Sequence, residues 1–160
     1  MDAARLLAED ETRWLSFAGA VAEVGPARRD EPTLSGEGWS VATAVFHVAY
    51  WLEDCARVLE AIGAGTWDRA AEPEQTRQFI EQVNAGHAAR AAALTATEIE
   101  LHLAAARDRA RRALLALTSV TAEAWGWFEE SGPLHYPKHE ADIRRWLAGA
   151  SFPGSPEPRR

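Results

Sequence analysis

A chain of 160 residues with a formal net charge of −7 is long enough to bury one core without staples, and its single cysteine, Cys55, leaves no intrachain disulfide. The acidic balance and scattered arginines argue against a nucleic-acid surface, no apolar run reaches bilayer length, and Met1-Asp2-Ala3-Ala4-Arg5 lacks a secretory pattern. A cytoplasmic, all-α protein is expected, because the chain is Ala- and Leu-rich with few β-branched residues and no alternating runs.

The first helix is expected from about Asp2 to Val24, with Leu7, Trp14, Phe17 and Val21 on one stripe and Gly25-Pro26 as its stop. A polar linker broken by Pro32, Gly36 and Gly38 follows, and Ser40 stands where an N-cap would. The second helix, about Val41 to Ile62, has the cleanest pattern: Val41, Val45, Val48, Leu52, Cys55, Leu59 and Ile62 step by four and three. Beside that stripe runs a mixed row of Ala44, His47, Trp51, Asp54 and Val58, read as a wall shared between core and cavity. Gly63-Ala64-Gly65 closes the helix.

Pro73 suits the first turn of a third helix reaching about Ala93 through Phe79, Ile80 and Val83. Thr95-Ala96-Thr97-Glu98 has capping-box spacing and opens a fourth, about Ala96 to Leu117, packing through Leu103, Ala106, Ala110, Leu114 and Leu117. Thr121 to Gly132 reads as a connection with room for a helical turn, carrying Trp125, Trp127 and Phe128. The last helix begins near His135 and fades at Ala148-Gly149, and Ser151 to Arg160 reads as a loose tail. Together these segments describe a four-helix bundle with one additional short helical element, a single domain over residues 1–150 followed by a tail over 151–160.

Chemistry concentrates in His135-Tyr136-Pro137-Lys138-His139. Continued as a helix, the segment puts His135, His139, Ile143 and Trp146 on one side, and two histidines one turn apart can hold one metal ion from the same side. The spacing alone equally allows two helix-start histidines with no ligand role. Pro137 lacks an amide hydrogen and is tolerated only in a helix's first turn, so His135 belongs at the start of the helix or just before it. His87, four residues after Val83 and seven after Ile80, has a spacing that edges toward the core, but it and His102 are read as surface or boundary residues rather than ligands, and Arg107, Asp108, Arg109, Arg111 and Arg112 as a solvated face. Cys55 falls on the apolar stripe and reads as core. Trp39, Trp51, Trp125 and Trp127 read as core by default, with an apolar pocket as the alternative, and Asp54 and Tyr136 are weak catalytic candidates.

Gly38-Trp39-Ser40-Val41 leading into a helix with His47, followed in order by His135 and His139, resembles the DinB/YfiT-like superfamily. Its relatives include the mycothiol-dependent maleylpyruvate isomerase N-terminal domain, bacillithiol transferases and cyclopropane-hydrolase-like proteins. The resemblance implies a four-helix bundle, often a homodimer, that binds zinc or nickel through His47, His135 and His139. Two departures stand out: Pro137 between the paired histidines, and no C-terminal domain expected after the bundle. Three imidazoles leave a divalent ion with an open position, the chemistry of a hydrolase or of a transferase using a low-molecular-weight thiol as co-substrate on a small electrophile. The alternatives are a non-catalytic protein that sequesters a small molecule, and a metal that serves stability alone while function resides in dimer contacts.

Overall fold

Among the described residues, five of the six α-helices begin on a side chain that accepts an otherwise unpaired amide, and the sixth, which carries the paired histidines, does not. The computed structural model describes residues 2–31, 34 and 39–149. Pro32, Gly36 and Gly38 of the expected linker and the expected tail over 151–160 lie outside the described residues. Asp2 caps α1 (Ala3–Val24), Ser40 caps α2 (Val41–Ala64) and Thr76 caps α3 (Arg77–Ala91). Thr95 and Glu98 form the expected capping box at the start of α4 (Ala96–Ala116). Thr121 caps α5 (Ala122–Ser131), and α6 (Tyr136–Leu147) starts on His135. Among the described residues there is no strand, and no helix is long and apolar enough to cross a membrane.

Two boundaries differ from expectation. The third helix starts at Arg77 rather than Pro73, because the Thr76 hydroxyl accepts the Phe79 amide at 3.2 Å and so fixes the first turn there. The segment from Thr121 to Gly132 is a full ten-residue helix, nucleated by the Thr121 hydroxyl on the Ala124 amide and anchored by buried Ala124 and Phe128.

Helix α2 is the hub, packing against α4, α5, α3 and α6, while α1 lies on α6 and α4. Its predicted stripe is buried from Val41 to Leu59, with Ile62 half-buried at the end. Each such aliphatic side chain contributes about 1.5–3 kcal/mol by leaving water, which makes α2 the element that organises the rest. On α1 the buried stripe is Leu6, Asp10, Phe17, Val21 and Val24, so Leu6 rather than Leu7 faces inward and a carboxylate sits in the apolar row.

That carboxylate ties three helices together. Asp10 is 0% exposed; its Oδ2 accepts from Arg107 at 2.6 Å and from Arg111, both on α4, and its Oδ1 accepts from the Tyr136 hydroxyl at 3.1 Å. The Arg107 guanidinium also lies 4.6 Å above the Trp14 ring, and Tyr136 stacks on Phe17 with centroids 5.7 Å apart. Arg107 is therefore buried, not part of a solvated face, because a buried carboxylate on the neighbouring helix draws it in; Arg109, by contrast, pairs with Glu60 at the surface. Gly132 makes room for this contact, since a Cβ there would lie 3.2 Å from the Tyr136 hydroxyl and 3.3 Å from Asp10 Oδ1. The network fixes Tyr136, and with it the residues on either side, at the start of α6.

Candidate metal centre

His47 reaches the centre from the hub helix, one residue off its apolar stripe, and is 6% exposed. His135 is the residue before the first turn of α6, with helical φ −85° and ψ −46°, and its imidazole makes no capping bond. The amides of His135 and Tyr136 both donate to the Gly132 carbonyl, at 2.8 and 3.0 Å, which pins this start against the end of α5. Pro137 falls in the first turn, where the missing amide hydrogen has no partner to lose. The proline therefore leaves the pair intact: His135 and His139 bring their Nε2 atoms to 3.0 Å, one from the cap and one from the helix.

His47 Nε2 lies 3.0 Å from the same His135 Nε2, and the ligand-type atoms of all three histidines lie within 4.8 Å of one another. In a neutral imidazole each ring nitrogen is either a donor or an acceptor. His135 Nε2 faces two other Nε2 atoms with one proton or one lone pair, so hydrogen bonding alone leaves one contact poorly paired. A cation would take all three lone pairs at once. Tetrahedral zinc with Zn–N bonds of about 2.0–2.1 Å holds its nitrogens about 3.3 Å apart, close to the 3.0 Å that separates His135 Nε2 from each of the other two. The donor set thus fits a divalent metal ion.

Electrostatics agree with that geometry. Burial, followed by the neighbouring histidines, pulls His47 down to about 2. Burial and then His139 pull His135 to about 3, and burial followed by Lys138 pulls His139 to about 4. All three imidazoles are neutral at physiological pH, as ligation requires. His87, also buried, is pulled to about 4. The unfolded chain's histidines titrate near 6.5 and bind protons that the folded ones refuse, so this contribution is complete above about pH 6.5 and lost as pH falls toward 4. Thermal melts of chelator-treated protein should show a steep loss of stability between pH 6.5 and 4.5, up to about 1.4 kcal/mol per pH unit for each such buried group. A flat melting temperature over that range would refute the neutral cluster.

The cluster sits at one wall of a cleft of about 1070 Å³ to which His47 and His135 contribute. Trp51 on α2, Trp67 in the following linker and Trp127 on α5 supply its aromatic walls, with Lys138 and Glu130 among its charged residues. Trp39 covers a different side of the cluster, stacked on His139 at 6.2 Å and edge-on to His47 at 5.0 Å. Of the four tryptophans read as core by default, Trp39, Trp125 and Trp127 pack against the core, while Trp51 and Trp127 line the cleft, the alternative reading.

Other expectations need correction. Tyr136 is fully buried with its hydroxyl on Asp10 and does not line the cleft, and burial raises its pKa well above that of an ordinary phenol. Asp54 bonds Arg57 at 2.8 Å and is likewise absent from the cleft wall. His102 pairs with Glu53 at 2.8 Å as a boundary residue, and Cys55 is buried with its thiol pKa pushed up by burial, both as expected. His87 is not at the surface: it is 1% exposed, with Nδ1 3.0 Å from His47 Nδ1. The spacing of Ile80 and Val83 before His87 hinted at the inner face of α3, whose buried residues are His87 and Ala91. Trp67 lies in a linker, where periodicity has nothing to say.

No curated protein and no solved structure matches the chain. The family described as Mycothiol maleylpyruvate isomerase N-terminal domain, a member of the DinB-like superfamily, matches over residues 11–149, a span that holds all three clustered histidines, and the chain belongs to that family.

Proposed function

We propose that this protein binds a divalent metal ion, zinc or nickel, through His47, His135 and His139 and uses it to direct a nucleophile, water or a low-molecular-weight thiol, at a small electrophile held in the cleft. The observation that carries the reading is the convergence of three neutral imidazoles, two buried and one partly buried, on one point beside that cleft. The family's name, which specifies mycothiol, supports the thiol arm. A cleft of about 1070 Å³ also exceeds what one small ligand needs, leaving room for thiol and electrophile together.

A bound ion of this kind lowers the pKa of a coordinated thiol or water and polarises a carbonyl. The chain's own groups do the rest. Trp51, Trp67 and Trp127 offer flat apolar surface to the substrate and exclude water from it. Lys138 adds a positive charge beside His135 and His139, at a cleft wall that also carries Glu72, Glu74, Glu123 and Glu130. Pairing as a homodimer belongs to the same proposal and is read by light scattering.

The test is turnover of activated esters, epoxides and chloronitroarenes by zinc- or nickel-loaded protein, with and without a low-molecular-weight thiol. Activity should require metal and disappear in His47→Ala. Equal rates for apo and loaded protein would defeat the metal-centred mechanism. The second reading is sequestration without turnover, in which the aromatic walls of Trp51, Trp67 and Trp127 hold the electrophile. Stoichiometric retention of the electrophile with no product would select it.

A further inference from the structure

We propose that His87 is a positioning residue of the metal centre, which accepts a hydrogen bond from His47 and thereby decides which ring nitrogen of His47 is free to bind metal. The inference rests on the metal-binding reading above and adds to it a fourth histidine, from a different helix, that is not itself a ligand.

The geometry allows little choice. His47 presents Nε2 to His135 at 3.0 Å and Nδ1 to His87 Nδ1, also at 3.0 Å. Two facing ring nitrogens bond only when one carries the proton and the other a lone pair. If His87 donated, His47 would hold its own proton on Nε2, pointing into the cluster, and could not ligate. For Nε2 to be a ligand, His47 must carry its proton on Nδ1 and donate to His87, which then carries its proton on Nε2.

Among the described residues that second proton has no acceptor. His87 Nε2 is buried without a partner, and the ring lies among Tyr50 at 4.5 Å, Phe46 at 5.8 Å and His47 at 5.1 Å between centroids. Buried donors are rarely left unpaired. A residue present only to seat α3 on α2 would be better as Phe or Leu, which fill the same space with no polar atom to strand. The stranded Nε2 is the consequence of demanding an acceptor at Nδ1. Partners that orient a ligating histidine through its second nitrogen are a general feature of metal sites, and their loss weakens metal affinity by about 10–100-fold.

Two variants separate this role from packing. His87→Phe keeps an aromatic ring and removes the acceptor; His87→Asn loses the ring and returns an oxygen near the position of Nδ1. Zinc affinity, read by competition with a chromophoric chelator, should fall about 10–100-fold in His87→Phe and return to within a few-fold of wild type in His87→Asn. The chelator-treated His87→Phe protein should melt no lower than wild type. In wild-type protein loaded with zinc, long-range nitrogen–proton NMR should place the His47 proton on Nδ1 and the His87 proton on Nε2. Wild-type affinity in His87→Phe, equal losses in both variants, or a His87 proton on Nδ1 would each overturn the assignment. Wild-type protein that binds neither zinc nor nickel would instead overturn the metal reading itself.

Discussion

Replacing His135 with alanine is expected to remove measurable zinc or nickel binding, a larger effect than the roughly 10–100-fold that follows loss of an outer partner. His135 Nε2 is the central atom of the cluster, 3.0 Å from both of the other Nε2 atoms, so its loss leaves His47 and His139 without the group that bridges them. His139→Ala should lose somewhat less, because the His47–His135 pair survives. His102→Ala is the control, since His102 pairs with Glu53 outside the cluster and should leave metal binding unchanged. Melting temperature gives an independent readout. Zinc at one hundred times its dissociation constant stabilises a binding protein by about 2.7 kcal/mol, and that increment should vanish in His135→Ala. An undiminished zinc-induced shift in His135→Ala would rule out the three-histidine centre.

The histidine pair near the C-terminus was legible in the sequence because metal ligands are few and polar, and stand out against an apolar face. His47 was legible through its place beside the α2 stripe, together with the family resemblance; periodicity alone put it on a shared wall and could not say what it faced. The all-helical class followed from composition, and the starts of α2 and α4 from Ser40 and Thr95 at cap positions. What escaped has a common cause. His87, Asp10 and Arg107 are polar residues whose burial depends on a partner from another helix, and no local pattern marks such a residue as buried. An isolated carboxylate belongs in water, and only the α1–α4 contact supplies the two guanidinium groups that permit Asp10 to be dry. Tyr136 was drawn toward catalysis by its neighbours in sequence. In space its side chain leaves their side and holds the Asp10 network instead.

That network sets the second large expectation. Asp10→Ala should destabilise the fold by about 3–5 kcal/mol, the range for breaking a buried ion pair by removing one partner. Arg107 is buried and would be left with Glu11 alone at 2.8 Å, a residue half-exposed and therefore a weaker counter-charge, and the Tyr136 hydroxyl would lose its acceptor. Tyr136→Phe removes only the last of these bonds and should cost about 0.5–1.5 kcal/mol. Urea denaturation of both variants and of the double variant gives the coupling directly, and the Tyr136→Phe cost should shrink when Asp10 is already gone. The consequence for the metal centre comes through the backbone. Tyr136 is adjacent to His135, and both residues hang their amides on Gly132, itself packed against Asp10 and the tyrosine hydroxyl. If the network sets where α6 begins, zinc affinity should fall with stability in Asp10→Ala, measured under conditions where the variant is still folded. A variant that loses the stability but keeps wild-type zinc affinity would confine the network to the fold, and a loss under about 1 kcal/mol would show that Asp10 is not the linchpin its burial implies.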